Sequence, residues 1–182
     1  ILADPRSVVQ ALKLPELNFF SQIGTDDAMY NLEVISYCPH TGTHMDAPFH
    51  VLEEEGTIES VDPTVLIGPA CIIRLDVDGD YEITVDDVKN WEAEHGEIQP
   101  GEAVMFDTNH DKIWESDPQE YITNYPHLVA ETAEYLVQKG ARFVGCEAIS
   151  PDTSEPVCHK ILLGGGTEVV ENVCNLDQVE AD

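Results

Sequence analysis

The segment His40-Thr41-Gly42-Thr43-His44-Met45-Asp46-Ala47-Pro48-Phe49-His50 places three imidazoles and a carboxylate within eleven residues. Neutral imidazole and carboxylate are ligands for zinc and manganese. On a helix His40 and His44 would share a face, but Gly42 and Pro48 oppose a continuous helix. An extended or looped segment therefore has to bring the ligands together. In extended backbone alternate side chains face the same way, which puts His44 and Asp46 on one side. Gly42 allows the bend that lets His40 join them, and Asp46-Ala47-Pro48 turns the chain so that His50 approaches the same point. An isolated histidine is usually a hydrogen-bonded structural residue. Three at these spacings beside an aspartate, flanked by Gly and Pro, point to a metal site. The segment offers no cysteine ligand, which favours an open catalytic site over a closed structural one.

On either side of this segment the chain alternates strands and helices. Asn31–Tyr37 (NLEVISY) alternates as a strand and runs straight into it, and Ala70–Leu75 (ACIIRL) is an apolar run of strand length. Thr84 is a plausible N-cap for a helix over Val85–His95, with Asp86 and Asp87 in its first turn and Gly96 at its stop. Pro100-Gly101 is a turn before a short strand, Ala103–Phe106. A second helix is predicted over His127–Lys139, ended by Gly140, followed by a buried strand at Arg142–Cys146. Gly164–Gly166 reads as a turn and Glu168–Val173 as a strand end or loop. Strands interleaved with helices make an α/β or α+β domain.

The 182 residues fit one domain spanning 1–182. Asp plus Glu number 36 against 8 Lys plus Arg, a net charge of −28. Such a surface repels nucleic-acid phosphates and anionic membranes. No apolar run has membrane-spanning length. The acids are spread along the chain, which suggests adaptation of the whole surface to concentrated salt, a halophilic character. Asp76-Val77-Asp78-Gly79-Asp80 comes nearest to a calcium loop but lacks the Glu at the twelfth position, so it reads as a turn. Five scattered cysteines form neither a disulfide framework nor a zinc ribbon and are expected mostly as small core residues. Residues 1–20 carry no export signal pattern, and a cytoplasmic location is the default expectation.

His40–His50 resembles H-x-G-T-H-x-D-x-P-x-H, the hallmark of the cyclase family that includes bacterial kynurenine formamidase and isatin hydrolase. The resemblance continues through Gly145–Asp152, similar to G-I-D-x-x-S-x-D with Glu147 in place of the Asp. His159–Leu163 is similar to H-x-x-L-L, and Glu171–Leu176 to E-N-L-x-N-L. Asp107-Thr108-Asn109-His110 stands where the family usually has Arg-Thr-Gly. The resemblance implies a swivelling β/β/α domain with a mixed β-sheet core and flanking helices, forming homodimers or higher oligomers. It also implies that His40, His44 and Asp46 hold one divalent ion. Asp46 would bridge to a second ion held by His159 and Glu171, and His50 would be the general acid/base. A divalent ion lowers the pKa of its water to about 7 and polarises a carbonyl, and a histidine can pass the proton to the leaving group.

The resulting expectation is a metal-dependent hydrolase of a small amide or lactam carbonyl, with one or two zinc or manganese ions and arylformamidase as the best named activity. Isatin- or lactone-hydrolysing enzymes are the close alternative, a non-catalytic metal-binding protein is a different class, and cyclisation chemistry stays open. The chain has no G-x-S-x-G, so a serine formamidase of the α/β-hydrolase type is excluded. Phe49, inside the motif, Ser150, and His110, in the divergent loop, are candidate substrate-binding residues. His95 and His127 are expected as exposed helix-end residues. Phe19, Phe20, Trp91 and Trp114 are expected in the core or an interface, and Cys158 as a buried spectator.

Overall fold

The computed structural model describes residues 16–25 and 28–180. Most of the segment read for an export signal, and the acidic end at Asp182, lie outside the described residues. The first described element is an antiparallel hairpin of β1 (Glu16–Ser21) and β2 (Leu32–Ser36). Five strands form the central sheet: β3 (His44–Asp46), β4 (Ala70–Arg74), β6 (Ala103–Asp107), β8 (Phe143–Cys146) and β9 (Glu168–Glu171), in the order β3-β9-β8-β6-β4. Neighbours from β4 to β9 run parallel, and β3 closes one end antiparallel to β9. The fold is therefore mixed α/β, as expected. A small parallel pair joins β5 (Glu82–Ile83) to β7 (His127–Leu128).

Among the described residues four helices flank the sheet: α1 (Val85–His95), α2 (Pro118–Thr123), α3 (Ala130–Lys139) and α4 (Val157–Gly164). α1 starts where the Thr84 cap was expected. The Thr84 side chain accepts from the Asp87 N–H and the Asp87 side chain accepts from the Thr84 N–H, a capping box that contributes about 1 kcal/mol. α1, α3 and α4 share a core with the sheet, built from Val88, Leu136 and Leu162 against Ile73, Phe106, Val144 and Val169. All four residues of β8 are buried, as a central parallel strand requires.

Two expectations are corrected. The helix predicted from His127 starts at Ala130, because the preceding backbone is committed to extended pairing. Leu128 N–H donates to Pro151 O, His127 N–H to Tyr81 O and Val129 N–H to Ile83 O. His127 accordingly sits on β7, 3.2 Å from Asp80 rather than at a helix start. Phe20 is 77% and Trp114 58% exposed, which leaves the interface half of the expectation made for them. Only Cys146 and Cys158 of the five cysteines are buried, and Cys174 is exposed. α2 and α4 are elements that the sequence reading passed over.

Candidate metal centre

Strand register builds the cluster. β3 pairs with β9 so that His44 lies opposite Glu171 and Asp46 opposite Val169. His44, Asp46 and Glu171 thus share one face at the sheet edge, the face foreseen for His44 and Asp46. Gly42 has φ +68, left-handed backbone that glycine adopts without a steric penalty, and this bend swings His40 back onto the strand. Nδ1 of His40 lies 2.9 Å from Nε2 of His44. The Asp46 Oδ1 lies 3.1 Å from His40 Nδ1 and 3.3 Å from His44 Nε2, and Glu171 Oε2 lies 3.4 Å from His44 Nε2. The second oxygens of both acids face His159 on α4: its Nε2 is 3.1 Å from Asp46 Oδ2 and 3.1 Å from Glu171 Oε1. Each carboxylate therefore straddles two ring sets.

The donor set fits a divalent cation. His44 Nδ1 lies 2.9 Å from the Gly42 carbonyl and His159 Nδ1 2.7 Å from Asp152. With those nitrogens donating, each neutral ring turns its Nε2 lone pair toward carboxylate oxygens, an arrangement that repels unless a proton or a metal lies between. Asp46 Oδ1 is buried and accepts no well-formed hydrogen bond, an orphaned acceptor aimed into the cluster.

Proton affinities point the same way. Burial penalises the Asp46 charge, yet the surrounding imidazoles of His159, His40 and His44 outweigh it and hold its carboxyl far below the usual range. Burial pushes Glu171 up, because two acids this close do not both ionise without a cation. Burial opposes the charged rings of His44 and His159, but their carboxylate partners outweigh it and raise both. The site demands positive charge.

Pro48–His50 forms a tight 3-10 turn that returns His50 over the cluster. Its ring centroid is 4.3 Å from that of His40 and 5.5 Å from that of His159, and its other side opens to solvent. Partial burial first, and the neighbouring rings against the pull of Asp46, lower it to about 4, so it is neutral at physiological pH. A cavity of about 470 Å³ opens above the cluster, lined by His40, His44, Asp46, Phe49, His50 and Ile58. A larger one of about 990 Å³ runs along β4 past Arg74, Trp91 and Arg142, and none of the clustered groups lines it.

Phe49 is 53% exposed at the mouth of the smaller cavity. Ser150 is buried, and its Oγ accepts the Asp152 N–H. His110 is buried too, its ring stacked on Tyr121 and its Nε2 3.0 Å from the Tyr121 carbonyl. The divergent loop and the Glu147 substitution prove to be one feature. A single Glu147 oxygen accepts from Thr108 N–H, Thr108 Oγ1 and His110 N–H. The Tyr121 hydroxyl lies 2.7 Å from the Glu147 carbonyl and 3.0 Å from Asn172 Oδ1, and Thr43 Oγ1 donates to the Asn172 carbonyl. Asp152, beneath His159, was not singled out from sequence. The available signal was its place as the closing acid of the Gly145–Asp152 segment.

The Cyclase family model matches residues 8–153. The chain belongs to the Cyclase family. The isatin hydrolase of Roseibium aggregatum is 28% identical over 187 residues, covering 91% of this chain and 71% of that protein. The kynurenine formamidase of Bacillus cereus is 33% identical over 153 residues, covering 82% and 67%. A solved isatin hydrolase bound to the product analogue thioisatinate superposes with a TM-score of 0.81 at 26% identity, covering 93% of this chain and 72% of that one. This cyclase-family chain is thus a homologue of hydrolases acting on small substrates. The family match includes His40–His50 and ends before His159 and Glu171, so the fold is what brings those two to the motif. Among the described residues, no helix is long and apolar enough to cross a membrane.

Proposed function

We propose that this cyclase-family chain is a metal-dependent hydrolase of a small amide or lactam carbonyl, with arylformamidase, the hydrolysis of N-formylkynurenine, as its best named activity. The observation that carries the reading is the convergence of ring nitrogens and carboxylate oxygens of His40, His44, Asp46, His159 and Glu171 beneath an open cavity. His40, His44 and Asp46 would hold one divalent ion, zinc or manganese, and His159 and Glu171, with Asp46 shared, would hold a second. A bound divalent ion lowers the pKa of its water to about 7 and polarises a carbonyl oxygen.

The chain's own residues supply the rest. His50, neutral and beside the cluster, takes a proton at its ring nitrogen and returns it to the leaving nitrogen. Phe49 and Ile58 offer an apolar wall for a flat substrate. With His40, His44 and His159 as neutral ligands, the charge of the ligand set would come from Asp46 and Glu171. The apolar hairpin of β1 and β2, exposed on its own, supports self-association as a homodimer.

Isatin hydrolysis is the second reading. The likeness to isatin hydrolases favours it. Purified protein supplied with manganese or zinc, then offered N-formylkynurenine, isatin and simple lactones, separates the readings. Formamide turnover supports the first, isatin ring opening the second. Metal bound without turnover of any of the three would leave a metal-binding protein.

A further inference from the structure

We propose that Asp152 is the positioning residue for His159, deciding which ring nitrogen faces the two carboxylates; the inference rests on the metal reading above and deepens it. Its Oδ2 accepts the His159 Nδ1–H at 2.7 Å and the His159 backbone N–H at 3.1 Å, while Oδ1 accepts the Cys158 N–H at 2.7 Å. Asp152 and His159 are both buried, at 4% exposure each. The acid is itself anchored. Its N–H donates to Ser150 Oγ at 3.0 Å and its carbonyl accepts from the Tyr125 hydroxyl at 2.9 Å.

One carboxylate thereby does two things. α4 has no side-chain cap at Pro156, and Asp152 takes up the N–H groups of its first turn from outside the helix. Its Oδ2, which takes the His159 N–H, also holds the ring that this turn carries. With Nδ1–H committed to Asp152, the neutral ring would carry its lone pair at Nε2, the nitrogen 3.1 Å from both Asp46 and Glu171. His44 provides the contrast, because its Nδ1 faces only the Gly42 carbonyl, a dipole rather than a charge. A carboxylate behind a ligating histidine fixes its tautomer and raises its basicity, and losing such a partner typically weakens metal binding tenfold to a hundredfold. Ser150 enters the same chain of contacts by orienting Asp152, so its place beside the site needs no contact with substrate.

Two measurements test this. In metal-free wild-type protein labelled at histidine, nuclear magnetic resonance is expected to show a slowly exchanging Nδ1 proton on His159, assigned with His159→Gln; its absence overturns the proposal. Calorimetric titration with manganese alone then compares wild type with Asp152→Asn, circular dichroism confirming that the variant is folded. The expected result is a roughly tenfold to hundredfold loss of affinity at the His159 position. Equal affinity in the folded variant, even with a lowered melting point, would show that Asp152 only caps α4. If Asp152→Asn does not fold, the wild-type proton signal decides. If wild type binds no manganese or zinc, the functional reading fails, and the same signal still decides the Asp152–His159 contact.

Discussion

His44 on β3 is the cross-strand partner of Glu171 on β9, and its Nε2 lies 3.4 Å from Glu171 Oε2. The pairing makes the cluster a consequence of sheet register. A slip of one residue would turn Glu171 to the opposite face and separate the two acids. The site is therefore as rigid as the sheet that carries it, which suits a centre holding several like-charged groups together.

His50 carries no structural contact comparable to those of the clustered rings, and its ring opens to solvent. His50→Ala is expected to retain bound metal and to lower kcat by about a hundredfold or more, the scale for losing an acid/base group. Metal analysis beside steady-state kinetics checks both halves. Loss of metal in the variant would make His50 a ligand.

Glu147 gives a pH signature. Burial, reinforced by Asp111 and Asp107 against the Thr108 hydrogen bonds, raises it from 4.5 to about 7. The folded state thus holds this proton more tightly than the unfolded chain. Its contribution is complete below about pH 4.5 and is lost as pH rises through 7. The loss is at most on the order of 3 kcal/mol, or several degrees of melting temperature. Glu147→Gln, neutral throughout, is expected to gain stability over wild type between pH 5 and pH 8. Thermal melts of both proteins across that range measure the difference, and parallel curves would contradict it.

The hairpin of β1 and β2 leaves Leu17, Phe20, Tyr30, Val34 and Ile35 more than half exposed. Patches of this kind mark interaction surfaces, and a lone two-stranded hairpin is marginal in water. Phe20→Asp combined with Ile35→Asp is expected to convert a dimer to a monomer in sedimentation velocity. A wild-type monomer would remove the homodimer reading.

Charge supplies a salt prediction. At −28 the surface repels itself, over a Debye length of about 30 Å at 0.01 M salt and about 3 Å at 1 M. The few cations cannot offset this, and exposed pairs contribute little. The melting temperature is expected to climb steeply between roughly 0.1 M and 2 M KCl, with activity following. A flat series of melts would reject the halophilic reading and leave the hydrolase reading intact.

Legibility varied with the range of the interactions. His40–His50 could be read because its geometry is local: Gly42 bends, β3 alternates, Pro48 turns. Thr84 and Asp87 announced α1 in the same way. α4 escaped because Val157–Gly164 is short and mostly apolar, begins at a proline and takes its cap from Asp152 outside the helix. α2 was missed although Asp117 caps it and Pro118 opens it. His159 and Glu171 entered only through the family resemblance, since 113 residues separate Asp46 from His159 and no periodicity encodes that pairing. The mutual dependence of Glu147 and the loop at Asp107–His110 was likewise invisible until the fold put them together.

The central claim is that His40, His44 and Asp46 belong to a divalent metal site that this fold completes with His159 and Glu171. Metal content of purified wild type and His44→Ala, after equilibration with manganese or zinc and removal of free ion, tests it most directly. The account expects at least one ion per wild-type chain and loss of most of it in a folded His44→Ala, because metal affinity follows ligand supply and geometry. Equal metal content in the two proteins would contradict it.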